Sequence, residues 1–299
     1  MASVSSLDQA ATLLREAGAA RRTLRIGEDL DLAGMGRVLQ HESGDLTCTV
    51  EAGIRLSALA AALSPAGQRL SLDPPGDPTI GACVARNLSG PLRHRFGAPR
   101  DLVLGVTLVL ADGTIVNAGG TVVKNVAGYD LGKLVCGSEG RLALVGRVSL
   151  RLHPIPAAAA TVMVESDDPA SVAAALLASS HVVPSALDVL HPGRVAVLFE
   201  GGAAAVAAQV ETTRRLVGGA VADASVWEES RSRQEAALGR ARFEPRALRE
   251  VLTGLPEAVV RVAAGVAYVP EALPNQTPDP VRLLQERVRE RFDPQGVLA

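Results

Sequence analysis

Aromatic residues are scarce in this chain of 299 residues, which has four phenylalanines, two tyrosines and one tryptophan. Proteins that bind single-stranded nucleic acid use aromatic side chains as stacking platforms for the bases. The formal net charge of −2 also offers no basic surface to a phosphate backbone. Both absences argue against nucleic acid as a partner. The apolar residues are chiefly alanine, valine and leucine, which favours helices layered on sheets.

Cysteine is also rare, and Cys48, Cys83 and Cys136 are far apart and odd in number. This spacing fits neither a disulfide framework nor a zinc site, and indicates buried thiols in a reducing cytoplasm. The N-terminal residues form no signal peptide pattern. The longest apolar stretch, around Leu102–Ala111, is too short to span a bilayer. We expect a cytoplasmic protein, with peripheral association at the inner face of the membrane only through partners.

The most informative segment is the run TVVKNVAGYDLGKLVCGSEG, residues 121–140. It combines four glycines with apolar residues, whereas each glycine in a helix interior costs about 1 kcal/mol relative to alanine. A chain tolerates such a density where its backbone approaches a planar or anionic group. The segment therefore predicts the wall of a cofactor pocket.

A second segment, residues 73–101, begins with the extended pair Pro74-Pro75. Thr79 is a good N-cap for a short helix over Ile80–Leu88. The backbone amides of Thr79, Ile80 and Gly81 at the start of that helix would favour a phosphate. Taken alone, the turns PPGD and SGP on either side of this helix are ordinary surface turns.

Periodicity divides the chain into three regions. The first, to about residue 65, contains a helix at Leu7–Ala17, strands at Thr23–Ile26 and Thr47–Ala52, and a helix at Leu56–Leu63. The second, about 70–156, contains two strands joined by an Asp112–Gly113 turn and a strand at Leu142–Leu152. The third has the order β-α-β-β-α-(β), typical of a ferredoxin-like sandwich, with Val259–Ala263 as its last strand. Residues 225–250 are predicted to be helical.

Several short motifs follow one another in a specific order. They are DPP at 73–75, TIGA at 79–82, NLSG at 87–90, FGAPRD at 96–101, ADG at 111–113, KNVAGYDL at 124–131, GSEGRLA at 137–143 and LHP at 152–154. In this order the chain resembles the PCMH-type, vanillyl-alcohol oxidase-like superfamily of FAD-binding flavoproteins. KNVAGYDL is most similar to the branch of glycolate oxidase E subunits.

The resemblance implies an α+β protein with a two-subdomain PCMH-type FAD-binding fold, followed by a ferredoxin-like cap domain. The implied domains are 1–156, with a shortened N-terminal subdomain, and 157–299, with a C-terminal return helix. It also implies non-covalent FAD and no metal. The implied cofactor-binding residues are Pro75, Thr79, Ile80, Gly81, Asn87, Ser89, Gly90, Gly97, Asp101, Asn125, Val126, Ala127, Gly128 and Tyr129.

This sequence departs from the family pattern at three places. The PxGGGT-type loop that cradles the pyrophosphate is missing, with Gly27 as its remnant. Alanine replaces the second glycine of TIGG at Ala82 and the last glycine of GxLG at Ala143. The NPGR that normally follows the terminal FDP-x-G-V is absent.

Catalytic residues remain unassigned by the sequence. Related hydroxy-acid oxidases use a histidine base and an arginine that grips the carboxylate, but the five histidines here form no cluster. Each is more typical of a structural or surface residue. Arg93, Arg95 and Arg100 could attract a carboxylate or form a solvated rim.

The resemblance implies an FAD-binding subunit of a glycolate or 2-hydroxy-acid oxidase complex, with hydride transfer from the α-carbon of a small 2-hydroxy acid. Its implied partners are a second FAD subunit and an iron–sulfur subunit. Two alternatives stay open. One is a flavin-free structural subunit that lost the pyrophosphate loop. The other is an independent D-lactate-type dehydrogenase, which the missing histidine cluster disfavours.

Overall fold

The computed structural model describes residues 2–121, 130–274 and 277–299 and has an α+β fold, as the sequence predicted. The strands in these ranges are β1 (Ala2–Ser3), β2 (Leu30–Asp31), β3 (Val38–Glu42), β4 (Thr47–Glu51), β5 (Gln68–Arg69), β6 (Val103–Val109), β7 (Ile115–Gly119), β8 (Leu144–Arg151), β9 (His153–Pro154), β10 (Ala158–Glu165), β11 (Ala186–His191), β12 (Arg194–Gly201), β13 (Ala220–Ala222), β14 (Gly239–Arg242), β15 (Ala258–Arg261) and β16 (Val266–Val269). The helices are α1 (Leu7–Ala19), α2 (Leu56–Leu63), α3 (Ile80–Arg86), α4 (Arg93–Phe96), α5 (Pro99–Leu102), α6 (Leu131–Val135), α7 (Pro169–Ala178), α8 (Ala203–Val217), α9 (Ser225–Glu235), α10 (Leu248–Thr253) and α11 (Asp279–Phe292). Within the described ranges, no helix is both long enough and apolar enough to cross a membrane.

The first large sheet has five antiparallel strands in the order β3-β4-β8-β6-β7. The predicted hairpin between β6 and β7 is confirmed, and Gly113 occupies its turn with φ +78°. Helices α2 and α3 pack on this sheet, where Leu59, Ile80 and Val148 are fully buried in one apolar cluster. Burying a leucine or isoleucine side chain contributes about 1.5–3 kcal/mol, so this cluster holds the two helices on the sheet.

A second apolar cluster joins the two ends of the chain. Leu7 and Leu14 of α1 pack with Val297 and Leu298. The Asp293 carboxylate accepts hydrogen bonds from the amides of Val297 and Leu298 at 2.8 and 2.7 Å. The strand expected at Thr23–Ile26 is reduced to isolated bridges, one of which links Leu24 to Leu298, because no neighbouring strand lies alongside it.

The division of the chain into two domains remains a proposal. All five strands of the first large sheet come before Pro156, and the second large sheet uses residues 158–269. Because Asp293–Ala299 pack against the N-terminal helix, we propose that this return segment belongs with the first domain.

The second large sheet has seven strands in the order β13-β10-β12-β11-β15-β16-β14. The first four strands in this order, with α7 and α8, form the expected ferredoxin-like unit. Its last strand is β13 (Ala220–Ala222), which pairs with β10. The prediction that Val259–Ala263 completes the unit was therefore wrong, since β15 instead extends the sheet beside β11.

The prediction that residues 225–250 are helical was wrong at its centre. There β14 (Gly239–Arg242) pairs with β16, and Arg240 lies opposite Tyr268. Gly239 permits this pairing, because a Cβ atom at that position would lie 2.2 Å from the carbonyl oxygen of Glu271. The long-range pairing overrides the local helical preference of these residues.

Polar contacts join the two large-sheet regions. Arg69 of β5 donates two hydrogen bonds of 2.7 Å to the Glu200 carboxylate at the end of β12. Gln234 of α9 donates from its side-chain nitrogen to the carbonyl oxygen of Ser89 at 3.0 Å. The second contact brings α9 onto the segment that follows α3.

Candidate functional site

A cavity of about 610 Å³ lies where α9, β14 and β16 meet the loops on either side of α3. This volume is within the range of about 300–1,000 Å³ that is typical of small-molecule and cofactor sites. The residues that line it are Pro75, Gly76, Asp77, Pro78, Arg86, Asn87, Leu88, Ser89, Gln234, Glu235, Ala237, Leu238, Gly239, Arg240 and Tyr268. Three of the predicted cofactor-binding residues, Pro75, Asn87 and Ser89, are among them.

The start of α3 is built differently from our expectation. Thr79 caps the helix, as predicted, by accepting a hydrogen bond from the amide of Ala82 at 3.2 Å. The amides of Ile80 and Gly81, however, donate to the carbonyl oxygens of Ile54 and Ala52 at 2.9 and 2.7 Å. The prediction that these two amides are free for a phosphate was therefore wrong, because the neighbouring chain already satisfies them.

The end of α3 brings two glycine-containing segments together. Asn87 ends the helix in the left-handed region, with φ +50°. A Cβ atom built on Gly137 would lie 3.5 Å from the Cβ of Asn87. The amides of Gly137 and Glu139 donate to carbonyl oxygens near the end of α3 at 3.0 and 2.7 Å. The described part of the run 121–140 therefore borders the cavity at Asn87.

The predicted residues Asn125, Val126, Ala127, Gly128 and Tyr129 lie outside the residues that the structure describes. Their contact with a flavin stays a prediction.

Ser89 and Gly90 form the turn that follows α3. Ser89 lines the cavity and is only 2% exposed, and its hydroxyl accepts a hydrogen bond from Arg93 at 3.3 Å. A Cβ atom on Gly90 would lie 1.8 Å from the carbonyl oxygen of Asp73, so only glycine fits there. Gly90 thus has a packing function that the sequence did not indicate.

Gly97 and Asp101 belong to a separate turn that does not contribute to the cavity lining. The Asp101 carboxylate accepts a hydrogen bond from the amide of Ala98 at 2.8 Å and caps the short helix α5. Gly97 has φ +81°, and a Cβ atom there would meet the same carboxylate at 2.5 Å. The structure shows a local structural function for both residues, and their contact with a flavin stays a prediction.

Backbone donors are available around the cavity. Among the residues that the structure describes, none accepts a hydrogen bond from the amides of Gly76, Asp77 or Ser89. Ser89 is buried and Asp77 is half-buried, and such amides normally find a partner, so these two suit a polar ligand. Gly76 is exposed, and its amide is accessible from the cavity. Gly27, by contrast, lies in a tight turn whose amide donates to Leu30 at 2.8 Å, so it offers no donor to a pyrophosphate.

Arginines provide the positive charge of the site, and two of them were not predicted. Arg86 and Arg240 line the cavity, and Arg93 lies beside it at Ser89. Burial lowers the pKa of the Arg93 guanidinium, and Arg240 and Arg261 lower it further. No motif pointed to Arg240, because its strand was predicted to be a helix. Arg95 instead packs over the Phe96 ring at 5.9 Å.

Two acidic side chains lie behind these arginines. Burial raises the pKa of the Asp73 carboxyl to about 7, although Arg261, the Leu92 amide and Arg231 all act to lower it. Burial likewise raises the pKa of Asp188, which Arg261 partly offsets. The cavity lining itself holds two arginines, Arg86 and Arg240, and two acidic residues, Asp77 and Glu235.

No histidine is among the described residues that line the cavity. His41 bonds to Gln68 at 2.9 Å, and His153 packs against Phe96 with ring centroids 4.6 Å apart. Burial lowers the pKa of both His94 and His153. The expectation that the histidines are structural or surface residues agrees with these positions.

Residues 5–119 match the family model described as an FAD binding domain. This part of the chain is similar to the PCMH-type FAD-binding domains. FAD is thus the cofactor of this family domain, as the sequence predicted.

Curated relatives agree with this family. Glycolate oxidase subunit GlcE of Escherichia coli (strain K12) is 32% identical over 213 residues, covering 70% of this chain and 59% of that protein. Glycolate oxidase subunit GlcD of Bacillus subtilis (strain 168) is 32% identical over 160 residues, covering 52% of this chain and 34% of that protein. A mitochondrial D-lactate dehydrogenase (cytochrome) of Saccharomyces cerevisiae is 34% identical over 171 residues, covering 56% of this chain and 29% of that protein. The chain therefore spans less than two thirds of the length of each of these relatives.

A solved structure of alkyldihydroxyacetonephosphate synthase superimposes with a TM-score of 0.73 at 15% sequence identity. The match covers 99% of this chain and 74% of that one. At this identity the likeness shows the PCMH-type fold alone.

The cavity fits FAD in its volume and its donors. The amides of Gly76, Asp77 and Ser89 can serve the polar edges of the cofactor, and Pro75 and Leu88 offer apolar surface to a flat ring. The site lacks donors at Gly27 and at the start of α3, so the pyrophosphate would depend on other groups, such as the arginines.

Proposed function

We propose that this chain is the FAD-binding subunit of an oxidase complex that acts on glycolate or another small 2-hydroxy acid. One observation supports this most directly. The FAD-binding domain and the cap enclose a cavity with unpaired backbone donors on one side and the Arg240 guanidinium on the other. Two relatives are named as glycolate oxidase subunits, which supports the choice of substrate.

In this proposal the chain would hold FAD non-covalently, and the chemistry that FAD would supply is acceptance of a hydride from the α-carbon of the hydroxy acid. The residues of this chain bind and orient the cofactor and the substrate. Amides of Gly76, Asp77 and Ser89 hold polar edges of the cofactor, while Arg86 and Arg240 attract the substrate carboxylate. The cap closes the cavity on the side opposite α3 and restricts access of water.

The proposed partners are a second FAD subunit and an iron–sulfur subunit of the same complex. The hydride transfer requires a base for the substrate hydroxyl, and no described residue lining this cavity is a histidine. We therefore propose that the second FAD subunit supplies the catalytic base. Any association with the membrane would then occur through these partners.

A flavin-free structural subunit is the second candidate. It is favoured by the tight turn at Gly27 and by the engaged amides of Ile80 and Gly81, which leave the pyrophosphate fewer donors than the family pattern implies. An independent D-lactate-type dehydrogenase is supported by the relative of that name but disfavoured by the same lack of a histidine.

The visible absorption spectrum of the purified chain, alone and co-expressed with its partner subunits, tests the proposal. We expect flavin absorption in the lone chain and its bleaching by glycolate in the complex. Leu88→Trp fills the cavity and should lower the FAD content several-fold. Leu39→Trp, on β3 and outside the cavity lining, is the matched control and should leave it unchanged.

If neither preparation contains flavin, the structural-subunit alternative replaces this proposal. If Leu88→Trp retains as much FAD as the control, the cofactor lies elsewhere in the chain.

A further inference from the structure

Tyr268 stands out in the cap wall of the cavity. It is the only tyrosine within the described residues, and it lies on β16 opposite Arg240 of β14. Its hydroxyl makes no hydrogen bond to any residue that the structure describes. The Arg93 guanidinium interacts electrostatically with Tyr268, and a phenol at a cavity wall with no hydrogen-bond partner can donate to a ligand.

Arg261 lies behind this tyrosine and is 3% exposed. None of its three guanidinium nitrogens has a hydrogen-bond partner among the described residues. Its Nε lies 3.7 Å from Oδ1 of Asp188, beyond hydrogen-bond distance, and Oδ2 of Asp188 accepts from the Ser230 hydroxyl at 2.5 Å. A buried guanidinium without hydrogen bonds is costly, so its position calls for an explanation.

The position of Arg261 is explained by its packing, because the guanidinium groups of Arg261 and Arg240 both lie against the Tyr268 ring. The Cζ atom of Arg261 lies 4.9 Å from the centroid of the Tyr268 ring, and that of Arg240 lies 5.8 Å from it. Guanidinium groups within about 6 Å of an aromatic centroid are attracted to the ring face. These contacts fix the plane of the ring and place positive charge beside its hydroxyl. Asp77 and Glu235 also line the cavity, but Arg240 and Arg261 are the charged groups that pack against Tyr268, and they favour an anionic ligand at this wall.

We propose that Tyr268 is the ligand-contacting residue of the cap, donating from its hydroxyl to the carboxylate of a small acid in the cavity, and that Arg261 is a positioning residue for the Tyr268 ring. This inference rests on the proposed function, since it names the part of the chain that meets the substrate. Arg261 itself is too deeply buried to reach the ligand, so it acts through the ring.

Calorimetric titration of the purified full-length chain with oxalate, an unreactive small carboxylate, tests the inference without turnover. We expect Tyr268→Phe to weaken oxalate binding about tenfold, the usual effect of losing one hydrogen bond to a charged group. FAD content and the unfolding midpoint should stay close to those of the wild type, since the ring and its packing remain. Arg242→Met, on the same strand as Arg240 and without an ion pair to any residue that the structure describes, is the matched control and should bind oxalate normally.

The positioning function predicts a specific pattern among the double variants. As a single substitution, Arg261→Met should weaken oxalate binding several-fold. Added to Tyr268→Phe, it should have no further effect, because Arg261 influences oxalate binding only by positioning the Tyr268 hydroxyl. Arg261→Lys, which retains the cation, should recover part of the affinity. Additive losses would overturn the positioning function, and unchanged affinity in Tyr268→Phe would overturn the inference as a whole.

The two proposals fail in different ways. If the chain binds oxalate through Tyr268 but never contains flavin, the inference stands and the proposed function fails. If the chain contains flavin but Tyr268→Phe binds oxalate as tightly as the wild type, only the inference fails.

Discussion

Single residues set the shape of the loop that carries much of the cavity wall. Gly90 leaves just enough room for the carbonyl oxygen of Asp73, which would lie 1.8 Å from a Cβ atom. The Asp73 carboxylate in turn accepts a hydrogen bond from the Leu92 amide at 3.1 Å. A motif that the family resemblance connects with flavin contact therefore also closes a loop within the protein.

The same carboxylate should make stability depend on pH. Burial raises the pKa of Asp73 from an ordinary 3.8 to about 7, so between these values the folded state holds a proton that the unfolded state has released. The resulting contribution to stability is fully present below pH 3.8 and is lost as the pH rises through about 7. Asp73→Asn is neutral at every pH, so its stability relative to the wild type should increase across this window.

Urea unfolding of both proteins at several pH values between about 4 and about 8 measures this difference. Asp45→Asn, at an exposed turn, is the control and should follow the wild type. A constant difference between Asp73→Asn and the wild type would show that the Asp73 carboxyl titrates normally in the fold.

Among the secondary-structure elements, α3 connects the domain core to the cavity. Its first amides are tied to the loop before α2, and its last residue, Arg86, lines the cavity. The Thr79 cap holds the start of this short helix, and loss of such a cap costs about 1 kcal/mol. We expect Thr79→Ala to lower the free energy of unfolding by about this amount, as measured by urea denaturation.

Thr79→Ser retains the hydroxyl and serves as the matched variant. It should keep most of the wild-type stability. Equal losses in Thr79→Ala and Thr79→Ser would mean that the threonine methyl group, and not the cap, supports α3.

A secondary-structure element could be predicted from the sequence when neighbouring residues determine it, and not when distant residues do. The helix after Thr79 and the turn at Asp112–Gly113 follow from neighbouring residues, and both are confirmed. Strand β14 could not be found in this way, because its pairing with β16 joins residues far apart in a charged segment. For this reason no sequence motif predicted that Arg240 and Tyr268 line the cavity. The engaged amides of Ile80 and Gly81 likewise depend on a distant loop.

For the whole molecule, the position of one large sheet against the other determines whether the cavity exists. One wall comes from residues 75–89 and the other from residues 234–240 and Tyr268, so contacts between these two parts of the chain influence its width. These contacts include the hydrogen bond from Gln234 to Ser89 and the bidentate pair of Arg69 with Glu200, whose side chains are 21% and 9% exposed. The guanidinium of Arg69 also lies 5.5 Å from the centroid of the Phe96 ring.

Removing one member of the Arg69–Glu200 pair should cost more than removing both. Breaking a buried pair leaves an uncompensated charge, which typically costs about 3–5 kcal/mol, whereas replacing both partners is often nearly neutral. We expect Arg69→Met and Glu200→Gln each to lower the free energy of unfolding by roughly 2 kcal/mol or more, given the partial exposure of Arg69, and the double variant to lose less than the sum. The exposed pair Arg215–Glu211 is the control, and its double-mutant cycle should give a coupling of at most about 0.5 kcal/mol. Equal coupling energies in the two cycles would mean that the Arg69–Glu200 pair does not hold the sheets together, and the cavity would then depend on the other contacts, such as the hydrogen bond from Gln234 to Ser89.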